Sequence, residues 1–169
     1  MIKYIQFVLS EYYYEILAER VGEIQAKVES HQVQVLLSKA LKEVPGTEGG
    51  LEGDKQAADR GNASGGCVAD RGISMKDTLI IADEPETFQS FLQQGWYVVV
   101  LYHEKNKDIS ITKVRYGVED VFMLEYRSYE EAYRRLAGLP WDILETDRLK
   151  VRESTVEDVN EFYRIYEEP

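Results

Sequence analysis

Five polar side chains follow two apolar segments that have the composition of buried strands. Asp83 and Glu84 come directly after Thr78–Ala82, and the other three lie within four residues of the end of segment 96–102. The complete set is Asp83, Glu84, His103, Glu104 and Asn106. The carboxyl ends of parallel strands meet at one edge of a sheet, and α/β proteins bind ligands there. These side chains therefore predict a small-ligand site, and the alternative role for Asp83 is that of a helix N-cap.

The elements that would position this site form a strand–helix–strand unit. Thr78–Ala82 and residues 96–102 are apolar and rich in β-branched side chains, as expected of strands buried on both faces of a parallel sheet. Between them, Pro85 favours the first turn of a helix and Gly95 favours its end. The pattern predicts an α/β fold with a small Rossmann-like parallel sheet and flanking helices.

Two more elements are predicted after this unit. Residues 113–118 read as a third strand. Ser128 and Glu131 have the spacing of a capping box, which predicts a helix over residues 128–136. The Rossmann-like unit is therefore expected to occupy residues 77–140.

Residues 1–44 carry apolar side chains at helical spacing. From Leu17 to Val28 they recur at three- and four-residue steps, which places them on one face of a helix. A second apolar cluster over residues 33–44 continues on a rotated face, so the sequence predicts an N-terminal helical segment, either one long helix or a helical hairpin. Residues 2–9 are either a short strand or the lead into that helix. Its apolar face needs a covering surface, from the rest of the chain or from another copy.

Residues 45–76 separate the two predicted units. They contain eight of the 12 glycines, scattered charges and few large apolar side chains. Such a composition predicts a flexible, Gly-rich linker. The one cysteine of the chain, Cys67, lies here, so no disulfide can form within the chain.

The charge of the chain restricts its partners. Its 169 residues have a formal net charge of −11, and residues 77–169, with 11 basic and 20 acidic side chains, carry most of it. An acidic surface repels phosphate backbones and anionic lipids, which argues against nucleic acid and membranes as partners. No segment reaches the roughly 18 apolar residues of a membrane span, and residues 1–9 lack the features of a signal peptide. A cytoplasmic protein is expected.

Residues 77–124 resemble the late motif of haloacid-dehalogenase-like (HAD-like) phosphohydrolases. Ile-Ile-Ala-Asp-Glu-Pro at 80–85 is followed by a helix and an apolar strand, as in that family, and residues 116–120 are similar to its closing strand and acidic turn. The resemblance places Asp83 where the family's magnesium-binding acid stands. The chain has no Asp-x-Asp pair, however, and Ala82 replaces the second acid of the motif. We therefore assign neither a catalytic residue nor a metal site.

Residues 144–158 read Leu-Glu-Thr-Asp-Arg-Leu-Lys-Val-Arg-Glu-Ser-Thr-Val-Glu-Asp. This resembles the Leu-Glu-Thr-Glu-Arg-Leu-x-Leu-Arg-x-x-Thr-x-x-Asp pattern at the start of GNAT-type N-acetyltransferases. The resemblance implies that residues 141–169 are the first strand and helix of an incomplete domain of that type, with Thr155 as the helix cap. The apolar side chains of this segment are expected to pack on the α/β unit or on another chain.

The GNAT resemblance implies a function for the whole molecule. The cofactor-binding turn of that family, Gln/Arg-x-x-Gly-x-Gly/Ala, is not matched after this point, so acetyl-CoA is expected for a full-length parent and no cofactor for this chain. The prediction is a non-catalytic accessory or regulatory region whose partner is the downstream acetyltransferase domain. Two alternatives stay open: a HAD-like domain that binds a small ligand, and a self-association module that forms a homo-oligomer through the N-terminal helix.

Overall fold

A computed structural model describes residues 1–40, 73–108 and 114–167. The strands of its central sheet are β1 (Tyr4–Leu9), β2 (Gln34–Lys39), β3 (Thr78–Ala82), β4 (Tyr97–Leu101) and β5 (Gly117–Val118). They lie in the order β2-β1-β3-β4-β5, and every neighbouring pair is parallel. This is one of the two common strand orders of doubly wound sheets. The predicted α/β class, with a Rossmann-like parallel sheet, is confirmed at this level.

Helices pack on both faces of this sheet. The described helices of the unit are α1 (Glu11–Ala18), α2 (Val21–Val28), α3 (Pro85–Gln93) and α4 (Tyr126–Leu136). Helices α1, α2 and α4 share one hydrophobic cluster with the sheet, and α3 shares another with the opposite face. On β3, Leu79 and Ile81 belong to the first cluster, and Ile80 and Ala82 belong to the second. This burial on both faces explains why the apolar residues of β3 are consecutive and do not alternate with polar ones.

The prediction of a helical segment over residues 1–44 is wrong for Gln34–Lys39, which forms β2, whereas the strand alternative for residues 2–9 is confirmed by β1. Strand β1 lies inside the sheet, paired with β2 on one side and β3 on the other. Helices α1 and α2 do occupy the stretch with helical spacing, and Leu17 and Val28 are fully buried there. Strands from both sides of residues 45–76 therefore form one sheet, which is not confined to residues 77–140.

The boundaries of two later elements also differ from the prediction. The described part of the predicted third strand is only β5, and residues 109–113 lie outside the described residues. Helix α4 begins at Tyr126 with Glu125 as its N-cap. Ser128 and Glu131 thus lie within the helix, and the capping box predicted for them is wrong.

Most of the predicted Gly-rich linker, residues 41–72, also lies outside the described residues. Its last part is described, and Met75–Asp77 forms a single 3-10 turn that leads into β3. The Lys3 N–H donates to the Asp77 carbonyl at 2.8 Å, which aligns the start of β1 with the start of β3.

Residues 141–167, here called the tail, form a hairpin followed by a helix. Strand β6 (Asp142–Glu145) pairs antiparallel with β7 (Lys150–Arg152), and α5 (Val159–Glu167) follows. The GNAT resemblance predicted one strand here, whereas the chain reverses between Thr146 and Leu149, where the Thr146 N–H donates to the Leu149 carbonyl at 2.8 Å. The predicted cap is confirmed, because Thr155 and Asp158 form a capping box.

Candidate functional site

The candidate site lies at the carboxyl ends of β1, β3 and β4. Ser10 follows β1, Asp83 follows β3, and His103 lies two residues beyond β4. Strand β1 connects onward to β2 on one side, and β3 connects to β4 on the other, so the strand order reverses between β1 and β3. Open α/β sheets bind ligands at such a switch point. Three of the five predicted residues, Asp83, His103 and Asn106, are brought together here.

The carboxylate of Asp83 is the centre of a hydrogen-bond network that ties the three strand ends together. Its Oδ1 accepts from the Ser10 N–H at 2.7 Å, and its Oδ2 accepts a short hydrogen bond from the Ser10 hydroxyl. The same Oδ2 lies 3.1 Å from His103 Nε2. The Asp83 side chain has no exposed surface. A buried carboxylate is tolerated when donors of this kind surround it, and here they come from the protein itself.

Asn106 fixes the loop that carries His103. Its Oδ1 accepts from the His103 N–H at 2.7 Å, while its Nδ2 donates to the carbonyls of Asp83 at 2.9 Å and Leu101 at 2.7 Å. The amide therefore uses its donors and its acceptor, and it joins the loop after β4 to the end of β3. Asn106 is a positioning residue for the network.

The hydrogen bonds of the His103 ring define its tautomer. Nδ1 lies 3.2 Å from the Lys105 N–H, which can only donate, so Nδ1 carries the lone pair. The proton then sits on Nε2 and points at Asp83. In this arrangement the imidazole donates from Nε2 to the carboxylate.

Aromatic rings cover the outer side of this network. The rings of Tyr12 and Tyr13 each lie 5.5 Å from the His103 ring, and the Tyr13 ring is stacked on it. The Lys105 ammonium lies 3.6 Å from the centre of the Tyr12 ring, within cation–π distance. Burial, with the nearby negative charges of Asp120 and Asp83, raises the pKa of Tyr13 above its ordinary value.

The other two predicted residues have different positions. Glu84 is half-buried and is the N-cap of α3, so the alternative role of N-cap that the sequence suggested for Asp83 belongs to its neighbour. Glu104 is exposed in the turn after β4. Ser10 was missed by the sequence analysis, because residues 2–9 were left open between a short strand and the lead into a helix, and the end of a strand was not placed there. A serine between an apolar strand and a helix start was the available signal.

The order of these groups limits their chemistry. In a hydrolytic triad a histidine lies between the serine and the acid and takes the serine proton. Here Asp83 lies between Ser10 and His103, and the Ser10 hydroxyl donates to the carboxylate. Within the described ranges no buried side-chain nitrogen or oxygen lacks a partner, and no group of three or more His, Cys, Asp or Glu side chains is arranged to hold a metal. Ser10, Asp83, His103 and Asn106 thus form a buried hydrogen-bond network at the switch point.

A second feature stands out in the tail, whose apolar side chains are exposed. Leu144 is 53% exposed, Phe162 is 48% exposed and Ile165 is 69% exposed. Of the two coverings predicted for these side chains, packing on the α/β unit is therefore not observed, and packing on another chain stays a prediction. The remaining exposed apolar side chains are Ile143, Leu149, Val151, Val156, Val159, Tyr163 and Tyr166. We call this set, with the three above, the tail surface.

Polar contacts join the tail to α4. Arg135 binds the Glu153 carboxylate through Nε at 2.9 Å and through a still shorter contact from Nη2. Arg134 donates to the Pro140 carbonyl at 3.3 Å, and the guanidinium of Arg127 lies 5.5 Å from the Trp141 ring. The hydrogen bond from Arg135 holds the pKa of Glu153 below its ordinary value. The tail is thus attached to α4 near Trp141 and at Glu153, while the side chains of the tail surface are left exposed.

Comparisons with known proteins do not assign the chain to a family. No family model matches it, and neither a curated protein nor a solved structure matches it. Within the described part of the chain, none of the helices combines the length and the apolar character needed to cross a lipid bilayer.

Proposed function

We propose that this chain is a non-catalytic accessory region of a GNAT-type N-acetyltransferase, and that its tail surface packs against the acetyltransferase domain. The observation that carries this proposal is the tail surface itself. Exposed apolar patches rimmed by polar groups mark interaction sites in soluble proteins. The sequence of the same segment resembles the start of a GNAT domain, and a first strand and helix of such a domain need the rest of its sheet to cover them.

The hydrogen bonds at the switch point support the proposal that this region is non-catalytic. At the position where an α/β sheet would bind a substrate, the carboxylate of Asp83 is already bonded to Ser10 and His103. Opening this network to a ligand would break several hydrogen bonds to a buried charge, each of them of the stronger class. A regulatory or positioning role needs no such opening.

Helix α4 provides the contact between the α/β unit and the tail that the proposal requires. Its residue Tyr133 bonds the Lys76 carbonyl in the 3-10 turn that precedes β3, and its residue Arg135 bonds Glu153 in the tail. Helix α4 also packs on β3 and β4, so one helix contacts both the sheet and the tail. In the proposed role, α4 sets the position of the acetyltransferase domain relative to the α/β unit.

Amide hydrogen exchange tests this proposal. We expect residues 142–167 to exchange at least about tenfold more slowly in a polypeptide that carries the acetyltransferase domain than in the 169-residue chain, since burial raises the free energy of local opening. Residues 78–82, in the core of the sheet, provide the internal control and should exchange alike in both. Equal exchange of the tail in the two polypeptides would contradict the proposal, as would acetyl transfer from acetyl-CoA by the 169-residue chain alone.

A further inference from the structure

Strand β2 is the last strand on one side of the described sheet, and its backbone has an inner and an outer edge. The Gln34 N–H donates to the Lys3 carbonyl at 2.9 Å, and the Ala40 N–H donates to the Leu9 carbonyl at 2.7 Å. The backbone N–H and C=O groups of the even-numbered residues of β2 therefore point towards β1. Because neighbouring residues of a strand point their backbone groups in opposite directions, the backbone groups of Val33 and Val35 point away from β1.

The side chain of Gln25, from α2, occupies this outer edge. Its Nε2 donates to the Val33 carbonyl at 3.0 Å, and its Oε1 accepts from the Val35 N–H at 2.8 Å. In a parallel ladder, one residue of the added strand donates to one backbone carbonyl and accepts from the N–H two positions further on. The Gln25 amide makes both of these bonds, and so it takes the place of one residue of a sixth strand.

We propose that Gln25 is an edge plug, which blocks the addition of another strand to β2. An open strand edge is a template for pairing with a second chain, and natural proteins protect such edges. The plug occupies the position where a new strand would begin its register with β2. Further along β2, Lys39 adds a charge at the edge strand, held by Glu11 and Glu15 on α1 at 3.5 and 3.3 Å.

The partner whose pairing with β2 is blocked by Gln25 is a second copy of the same chain. Two β2 edges brought together would pair backbone groups that Gln25 now satisfies, and the association would need no new side-chain complementarity. The inference concerns only the edge of β2 and is independent of the tail surface and of the acetyltransferase proposal.

The test compares two substitutions of Gln25 in the full 169-residue chain. Gln25→Ala removes both bonds and leaves the edge open. Gln25→Glu also loses the donor to Val33, but it keeps an acceptor for the Val35 N–H and places a charge at the edge. Gln94→Ala is the matched control, because the exposed Gln94 amide donates to the Ser90 hydroxyl at 3.2 Å and lies away from the edge of β2.

Sedimentation velocity over a range of protein concentrations gives the readout, with amide exchange to locate the contact. We expect Gln25→Ala to associate at concentrations at least about tenfold lower than the wild type, with exchange at Leu37 slower than in the wild type. We expect Gln25→Glu and Gln94→Ala to behave as the wild type. Equal association of the Ala and Glu variants would show that lost stability is the cause and would overturn the proposal. Unchanged association of Gln25→Ala would also overturn it, as would exchange protection at another surface.

Discussion

His103 Nε2 lies 3.1 Å from Asp83 Oδ2, and this contact joins the end of β4 to the end of β3. Because Asp83 also bonds both the backbone and the hydroxyl of Ser10, one carboxylate links three strands. The same residue types, arranged with the histidine in the middle, would form a nucleophilic site. Their observed order makes a buried link between strand ends instead.

The first prediction concerns the tautomer of His103. Since Nδ1 accepts from the Lys105 N–H, we expect the neutral ring to carry its proton on Nε2. Long-range nitrogen–proton correlation spectra at pH 8 should show a protonated Nε2 and an unprotonated Nδ1. A spectrum with the proton on Nδ1 would contradict the described orientation of the ring.

The second prediction concerns the stability that the Asp83 network provides. Asp83→Ala leaves the Ser10 N–H and the His103 Nε2–H without their acceptor, and we expect a loss of about 2–4 kcal/mol in the free energy of unfolding. Asp83→Asn, which keeps one acceptor oxygen, should lose less. Urea unfolding measures both, and the exposed Asp108→Ala should stay within about 0.5 kcal/mol of the wild type. If the Asp83→Ala protein were as stable as this control, the network would not stabilise the fold.

The third prediction concerns Gly117, which packs against the ring of Tyr102. A Cβ atom at residue 117 would lie 2.2 Å from Tyr102 Cε2, so one of the two must move. We expect Gly117→Ala to cost about 1–3 kcal/mol in the free energy of unfolding. Gly22→Ala is the control, because its Cβ would meet nothing within 4 Å in the described structure and alanine favours the helix by about 0.5–1 kcal/mol.

A second substitution separates this clash from other effects of Gly117→Ala. If the ring of Tyr102 is the obstacle, adding Tyr102→Ala to Gly117→Ala should cost less than the sum of the two single changes. Thermal unfolding of the four proteins gives the comparison. Strictly additive costs would mean that the two residues do not clash.

The fourth prediction concerns the pH dependence of the contact between α4 and the tail. Arg135 lowers the pKa of Glu153 from its ordinary value of 4.5, so the folded state holds the charged form better than the unfolded state does. The stabilisation is therefore complete above pH 4.5 and is lost as the pH falls through the lowered pKa. Carboxyl carbon NMR of Glu153 should show this pKa below 4.5, and Arg135→Ala should return it towards 4.5. An unchanged pKa in the variant would rule out the ion pair in solution.

Part of this fold could be read from local sequence, and part could not. Strand β3 lies at the predicted residues, because a short apolar, β-branched segment that is preceded by polar residues and followed by Asp83 favours a buried strand over other local structures. The cap of Thr155 and Asp158 was predictable for the same reason, since both bonds are made within four residues. Strand β2 was missed because Val33, Leu36 and Leu37 fit a helical face as well as a strand, and only pairing with β1 decides between them.

The start of α4 and the role of Asp83 depended on distant residues. The Tyr126 ring stacks on His31 at 3.6 Å between ring centres, and this contact lies in the first turn of α4, ahead of the local cap signal at Ser128. Asp83 has the local sequence of a helix cap, and its true partners are 73 positions away at Ser10 and 20 positions away at His103. Local patterns do not contain that information.

The most direct test of the proposed function is the cost of Phe162→Ala in two polypeptides. In the 169-residue chain, Phe162 is half exposed on the tail surface, so the substitution should change the free energy of unfolding by less than about 0.5 kcal/mol. In a polypeptide that carries the acetyltransferase domain, a buried Phe162 should cost about 3–5 kcal/mol when it is truncated. A cost that is small in both polypeptides would contradict the proposal that the tail surface is covered by that domain.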